Sequence, residues 1–78
     1  PDFVAETDTA IYMLEPKARN EMNNPDVLAK RDAAVQWCQH ATNYTATYGG
    51  KPWHYALIPH DVIRENMTLT GLVNQFRV

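Results

Sequence analysis

Cysteine is almost missing from this sequence. Cys38 is the only one in 78 residues, so no internal disulfide braces the fold and a reduced, intracellular setting is expected. Glycine is nearly as scarce, at three residues, and no glycine-rich phosphate loop can be assembled from them. No apolar run approaches the roughly 18 residues that read as a membrane span. No basic segment followed by an apolar stretch reads as a secretion leader either. A surplus of charge is absent too: the net value of −2 gives no global pull toward nucleic acid.

What is present is an ordinary globular composition in the size range of one small domain, residues 1–78. Pro1 opens directly onto a strand-like pattern, from which the chain is expected to be a fragment of a larger protein. PDFVAET (1–7) and AIYMLEPKA (10–18) flank Asp8-Thr9 and predict a β-hairpin with strands over 2–7 and 10–17. Asn24, Pro25 and Asp26 form a helix start: an N-cap, a proline at the first position, and an acid at the positive end of the dipole. The helix is expected over 25–48, stopped by Gly49-Gly50. Val27, Ala34, Trp37, Cys38, Ala41, Tyr44 and Tyr48 recur at helical spacing and are expected to form its buried stripe.

KPWHYALIP (51–59) predicts a strand with Trp53, Tyr55 and Leu57 on one face and His54, Ala56 and Ile58 on the other. Asp61 is expected to cap a short turn, VIRENM, and Thr68 to cap a final helix carrying Leu69, Leu72, Val73 and Phe76. The order is β-β-α-β-α, an α/β (α+β) domain with a small mixed sheet flanked by helices. The long helix between the second and third strands makes those two parallel.

The hairpin carries the chemistry. Side chains alternate along a strand, so Glu15 and Lys17 share one face while Pro16 points to the other. An antiparallel first strand brings Asp2 level with them. Two carboxylates are enough, with substrate phosphate and water, to hold Mg²⁺, and the Pro16 carbonyl offers a third oxygen. Lys17 beside them can donate to an attacking water and to phosphate. Pro16 in an inner strand removes a ladder hydrogen bond, so the strand is expected to bend or end there. Lys17, Arg19, Lys30 and Arg31 gather four of the seven basic residues within fifteen positions. They read either as a phosphate-facing patch or as a solvated helix start. Lys30 has the same two readings: a reach over the sheet toward phosphate, or a charge carried to solvent at the helix edge.

Pro1-Asp2, followed after twelve residues by Glu15-Pro16-Lys17, resembles the signature of the PD-(D/E)XK nuclease superfamily. More of the chain is similar to the C-terminal nuclease domain of the Res subunit of type III restriction enzymes. The shared features are PDFV, the strand ending in LExK, Lys30-x-x-Ala33-Ala34-x-x-Trp37-Cys38, and Trp53, Tyr55, Leu57 and Pro59 in the late strand. The resemblance implies a truncated restriction-endonuclease-like core that cleaves double-stranded DNA. Asp2 and Glu15 would hold Mg²⁺, Lys17 would assist the nucleophile, and Lys30, Arg19 and Arg31 would contact phosphate. It also implies a parent chain with an ATP-using helicase region, a modification (methyltransferase) subunit as partner, and a bacterial or archaeal cytoplasm. The alternative is a catalytically inactive nuclease-like domain that docks or positions DNA for a helicase-related protein. A third reading, an unrelated small α/β domain, requires that segments 2–7 and 10–17 do not pair.

His40, His54 and His60 match no zinc-ligand spacing. Cys38 and His40, two apart on a helix, point away from each other and make no nucleophile pair.

Overall fold

Asn24 starts the longest element. Its side-chain oxygen accepts the backbone N–H of Asp26 at 2.8 Å, and Pro25 takes the first position, where no donor is needed. This helix, α1, covers Pro25–Ala46 in a computed structural model that describes residues 3–63 and 68–78. It ends two residues before the expected Tyr48, in a Schellman closure. Gly50 N–H donates to the Thr45 carbonyl at 2.7 Å, Gly49 N–H to that of Ala46 at 3.4 Å, and Gly49 holds φ at 76°.

The expected hairpin forms. β1 (Phe3–Glu6) pairs antiparallel with β2 (Ile11–Lys17), from Phe3 opposite Leu14 to Glu6 opposite Ile11. Thr7 ties the turn: its N–H donates to the Ala10 carbonyl at 2.8 Å, and its hydroxyl oxygen accepts from Ala10 N–H at 3.1 Å. β3 (Trp53–Pro59) runs parallel to β2, Ile11 opposite Trp53 through to Lys17 opposite Pro59. The result is a mixed sheet in the order β1-β2-β3, with the predicted β-β-α-β-α succession. α2 (Leu69–Phe76) is capped by Thr68, whose hydroxyl accepts Gly71 N–H at 3.1 Å. Of its four predicted apolar positions Val73 is buried and the other three are half-buried.

β3 is the buried strand. Tyr55, Ala56, Leu57, Ile58 and Pro59 are all buried. On one face Tyr55 and Leu57 join Met13 and Cys38 in a cluster covered by α1 residues Val27, Ala34 and Val35. Ala56 and Ile58 point to the opposite face, where Val73 of α2 is buried as well.

The expected stripe of α1 needs correction. Trp37, Tyr44 and Tyr48 are exposed, at 51%, 69% and 65%. At 3.6 residues per turn Trp37 and Tyr44 lie roughly 100–120° round the axis from Cys38, and Tyr48 falls past the end of α1. The sheet-facing line instead runs Val27, Arg31, Ala34, Val35, Cys38, Thr42 and Thr45. Two threonines take positions that hydropathy would assign to aromatics, because their hydroxyls bond the chain around the start of β3. Thr42 Oγ1 accepts from Trp53 N–H at 2.8 Å and lies 3.1 Å from the Trp53 carbonyl. Thr45 Oγ1 lies 2.9 Å from the Lys51 carbonyl.

One of the two outcomes expected at Pro16, an end to the strand, does not occur. β2 neither ends nor breaks there, since Pro16 pairs with Ile58 and Lys17 with Pro59. Ile11 N–H donates to the Pro52 carbonyl at 2.9 Å, so odd-numbered residues of β2 bond toward β3. Pro16 therefore turns its missing donor and its carbonyl toward the β1 flank, beyond the last described pair, Phe3 with Leu14. The β2–β3 ladder loses nothing.

The helix end tests this packing. A Cβ on Gly50 would lie 2.8 Å from Tyr48 Cε2 and 2.9 Å from Thr45 Cβ. Gly50→Ala is expected to cost about 1–3 kcal/mol by overpacking. Gly49→Ala is expected to cost about 1–2 kcal/mol through its left-handed backbone alone. Both are read from the urea midpoint at unchanged m-value.

Candidate functional site

Met13 faces α1 in the core cluster, and alternation along β2 puts Glu15 and Lys17 on that same face. Both are half-buried. They sit at the carboxyl ends of the parallel pair β2 and β3, where α/β sheets collect ligands and reacting groups. The structure thus brings together two of the three predicted catalytic residues. Asp2 lies outside the described residues. Pro16, the predicted carbonyl ligand, directs that carbonyl to the β1 flank.

Glu15 has a neighbour that composition and spacing concealed. Leu57 is its neighbour across the ladder, and Tyr55, two residues earlier on β3, shares the same face. Tyr55 is 2% exposed, and its phenol is pushed up to about 12, first by burial and then by the charge of Glu15. The Arg31 guanidinium pulls the other way. By sequence Tyr55 reads as one face of an alternating strand; its hydroxyl gives no periodic signal.

The basic residues separate. Arg31 lies on the sheet-facing line of α1, is half-buried, and reaches Asp32 Oδ1 with Nη2 at 2.9 Å and Nε at 3.1 Å. Lys30, next to it, falls on the flank shared with Trp37 and is exposed. Arg19 follows the end of β2 and forks onto Asp61, Nε to Oδ2 at 2.9 Å and Nη2 to Oδ1 at 3.0 Å. Hydrogen bonding to Asp61, and then its charge, raises the Arg19 pKa. The Asp61 carboxylate joins the segment after β3 to the segment after β2. Most of the VIRENM turn, residues 64–67, lies outside the described residues.

Hard oxygen donors define what this end of the sheet could hold. Glu15 offers one carboxylate, and Mg²⁺ is commonly taken by one or two carboxylates with water and substrate phosphate completing its shell. The donor chemistry fits such a cation. Among the described residues no three His, Cys, Asp or Glu side chains gather as a closed metal cage. Burial pushes the Cys38 thiol up, and its Sγ lies 3.4 Å from Met13 Sδ, the setting of a packing residue.

A groove of about 730 Å³ lies elsewhere, between the aromatic flank of α1 and residues such as Ile11, Lys51 and Trp53. Trp37 and Trp53 meet there edge to face at 5.1 Å. Neither Glu15 nor Lys17 lines it. Among the described residues no helix is long and apolar enough to cross a membrane. No family model matches the chain, and neither a curated protein nor a solved structure shows significant similarity to it.

The Tyr55 phenol makes a pH prediction. Its pKa is raised from 10 to about 12 in the folded chain, so unfolding releases a proton between those values. The stability it confers is full below pH 10 and is lost as pH rises through about 12. Urea unfolding across that window is expected to show a steeper loss for the native chain than for Tyr55→Phe.

Proposed function

We propose that this chain is the nuclease domain of a Mg²⁺-dependent DNA endonuclease of the type III restriction, Res-subunit kind. The observation that carries the reading is the shared placement of Glu15 and Lys17 on one sheet face at the carboxyl ends of β2 and β3. The hairpin pairing of β1 with β2 supports it, because the proposed signature spans both strands.

In this reading Glu15, with Asp2, holds the cation. The bound cation would neutralise phosphate charge and make a nucleophile of water near neutral pH. Lys17 directs its ammonium to the attacking water and the phosphate, offering three rotatable donors from a flexible stem. Arg31 supplies positive potential from the sheet-facing side of α1, and Lys30 is the exposed cation available to backbone phosphate. Arg19 contributes after exchanging Asp61 for phosphate. The substrate is double-stranded DNA. A helicase region using ATP and a methyltransferase subunit belong to the parent assembly, in a bacterial or archaeal cytoplasm.

A second reading, a catalytically inactive domain that docks or positions DNA, is favoured by one observation. The two arginines of the basic group are each held by an acid, Arg19 by Asp61 and Arg31 by Asp32, which weakens the field a phosphate would meet.

Cleavage of supercoiled plasmid separates the two. Mg²⁺-dependent nicking is expected, and Asp2→Ala, Glu15→Ala and Lys17→Ala are each expected to lower it about a hundredfold or more without changing far-ultraviolet circular dichroism. Unchanged nicking in Glu15→Ala and Lys17→Ala would sink the enzymatic reading. DNA binding without any nicking would support the positioning module.

A further inference from the structure

β2 and β3 are parallel, so the segments that follow them leave the sheet at the same end. β2 passes into the 3₁₀ turn Arg19–Glu21 and β3 into the 3₁₀ turn His60–Val62. Lys17 opposite Pro59 is the last pair of the ladder, and Arg19 and Asp61 each stand two residues beyond it. There the guanidinium meets the carboxylate as a fork, Nε–H donating to Oδ2 at 2.9 Å and Nη2–H to Oδ1 at 3.0 Å. Two N–H donors on one planar group fit two oxygens of a carboxylate and two of a phosphate alike. Water reaches both partners, whose side chains are 61% and 59% exposed, and screening keeps such a pair weak. The strands beneath are paired up to Lys17 and Pro59, so the sheet does not depend on the fork staying closed on Asp61.

We infer that Asp61 is a built-in competitor for a backbone phosphate of DNA, its carboxylate filling the Arg19 fork at the mouth of the site until phosphate displaces it. This rests on the nuclease reading above and adds regulation to it. Asp61 opposes DNA in two ways. It occupies the donors of Arg19, and it sets a negative charge where the phosphate must arrive. A duplex seated over Glu15 and Lys17 holds a phosphate at the fork at high local concentration and displaces the carboxylate. A duplex held only loosely does not. The exchange raises the threshold for engaging DNA at this end of the sheet.

The test is duplex binding without Mg²⁺, followed by the fluorescence anisotropy of a labelled duplex. Asp61→Asn keeps the size of the side chain and is expected to bind roughly fivefold more tightly, the size of one charge contact in water. Its salt dependence is expected to steepen by about 0.9 in the slope of log K against log salt, because one more cation meets phosphate. In an Arg19→Gln background Asp61→Asn is expected to bring no gain, since the carboxylate acts through the guanidinium. Asp8→Asn removes the same charge at the exposed hairpin turn and is expected to leave affinity within twofold of the native chain. Inorganic phosphate at constant ionic strength is expected not to compete with the duplex. Native-like affinity in Asp61→Asn, or an equal gain in Asp8→Asn or in the Arg19→Gln background, overturns the exchange while the nuclease reading stands. Effective competition by inorganic phosphate overturns the assignment of the fork to DNA. Absence of duplex binding in both the native chain and Asp61→Asn overturns the exchange and the nuclease reading together.

Discussion

A strand buried on both faces must find apolar cover for two sets of side chains and partners for its whole backbone. β3 meets this in a chain of 78 residues by recruiting something on every side. β2 satisfies one edge along the full parallel ladder. On the other edge, Thr42 of α1 serves both backbone groups of Trp53, and Val78 N–H reaches the Tyr55 carbonyl at 2.9 Å. An antiparallel bridge between Ala56 and Arg77 lies beside it. The two helices then close the faces. Fully burying a side chain such as Ile58 contributes about 1.5–3 kcal/mol, and in a domain this small each such residue matters.

The same burial shapes the candidate site. Because β3 is enclosed, the buried Tyr55 lies on the same sheet face as Glu15, and a core residue borders the polar end of the sheet. Around that pair the charges differ in kind. Arg31 approaches from the sheet-facing line of α1 and is itself held by Asp32. Arg19 and Asp61 bridge the segments leaving β2 and β3 across exposed surface. That pair holds two chain ends together at the mouth of the site rather than stabilising the core, since exposed ion pairs are screened by solvent. Lys17 shares the face of Glu15, which is the geometry the proposed chemistry needs.

The outer flank of α1 follows from an allocation rather than a defect. Helix positions facing the start of β3 went to Thr42 and Thr45, whose hydroxyls answer backbone groups that a phenylalanine or leucine would leave unpaired. Trp37 and Tyr44 were left more than a quarter-turn away and Tyr48 beyond the helix end, partly sheltered by one another and by Trp53. Hydropathy alone ranks aromatics above threonine for a core stripe, which is why the predicted line drifted round the helix. The hydrogen-bond demand of an edge strand outranked hydropathy.

Much of the architecture was legible because it rests on local chemistry. Asn24-Pro25 and Gly49-Gly50 bound a helix by capping; alternation marks β3; Thr68 announces α2; and a long helix between strands makes β2 and β3 parallel. The shared face of Glu15 and Lys17 is equally local, a consequence of strand geometry at spacing two. Three things needed the tertiary structure. The side of α1 that meets the sheet depends on which backbone groups of β3 await partners. The harmlessness of Pro16 depends on which flank its missing donor faces. The placement of Tyr55 on the face of Glu15 joins residues forty positions apart in the sequence through parallel register. Periodicity carries which residues share a face of one element, but register and helix rotation are set by satisfying the buried backbone of all elements together.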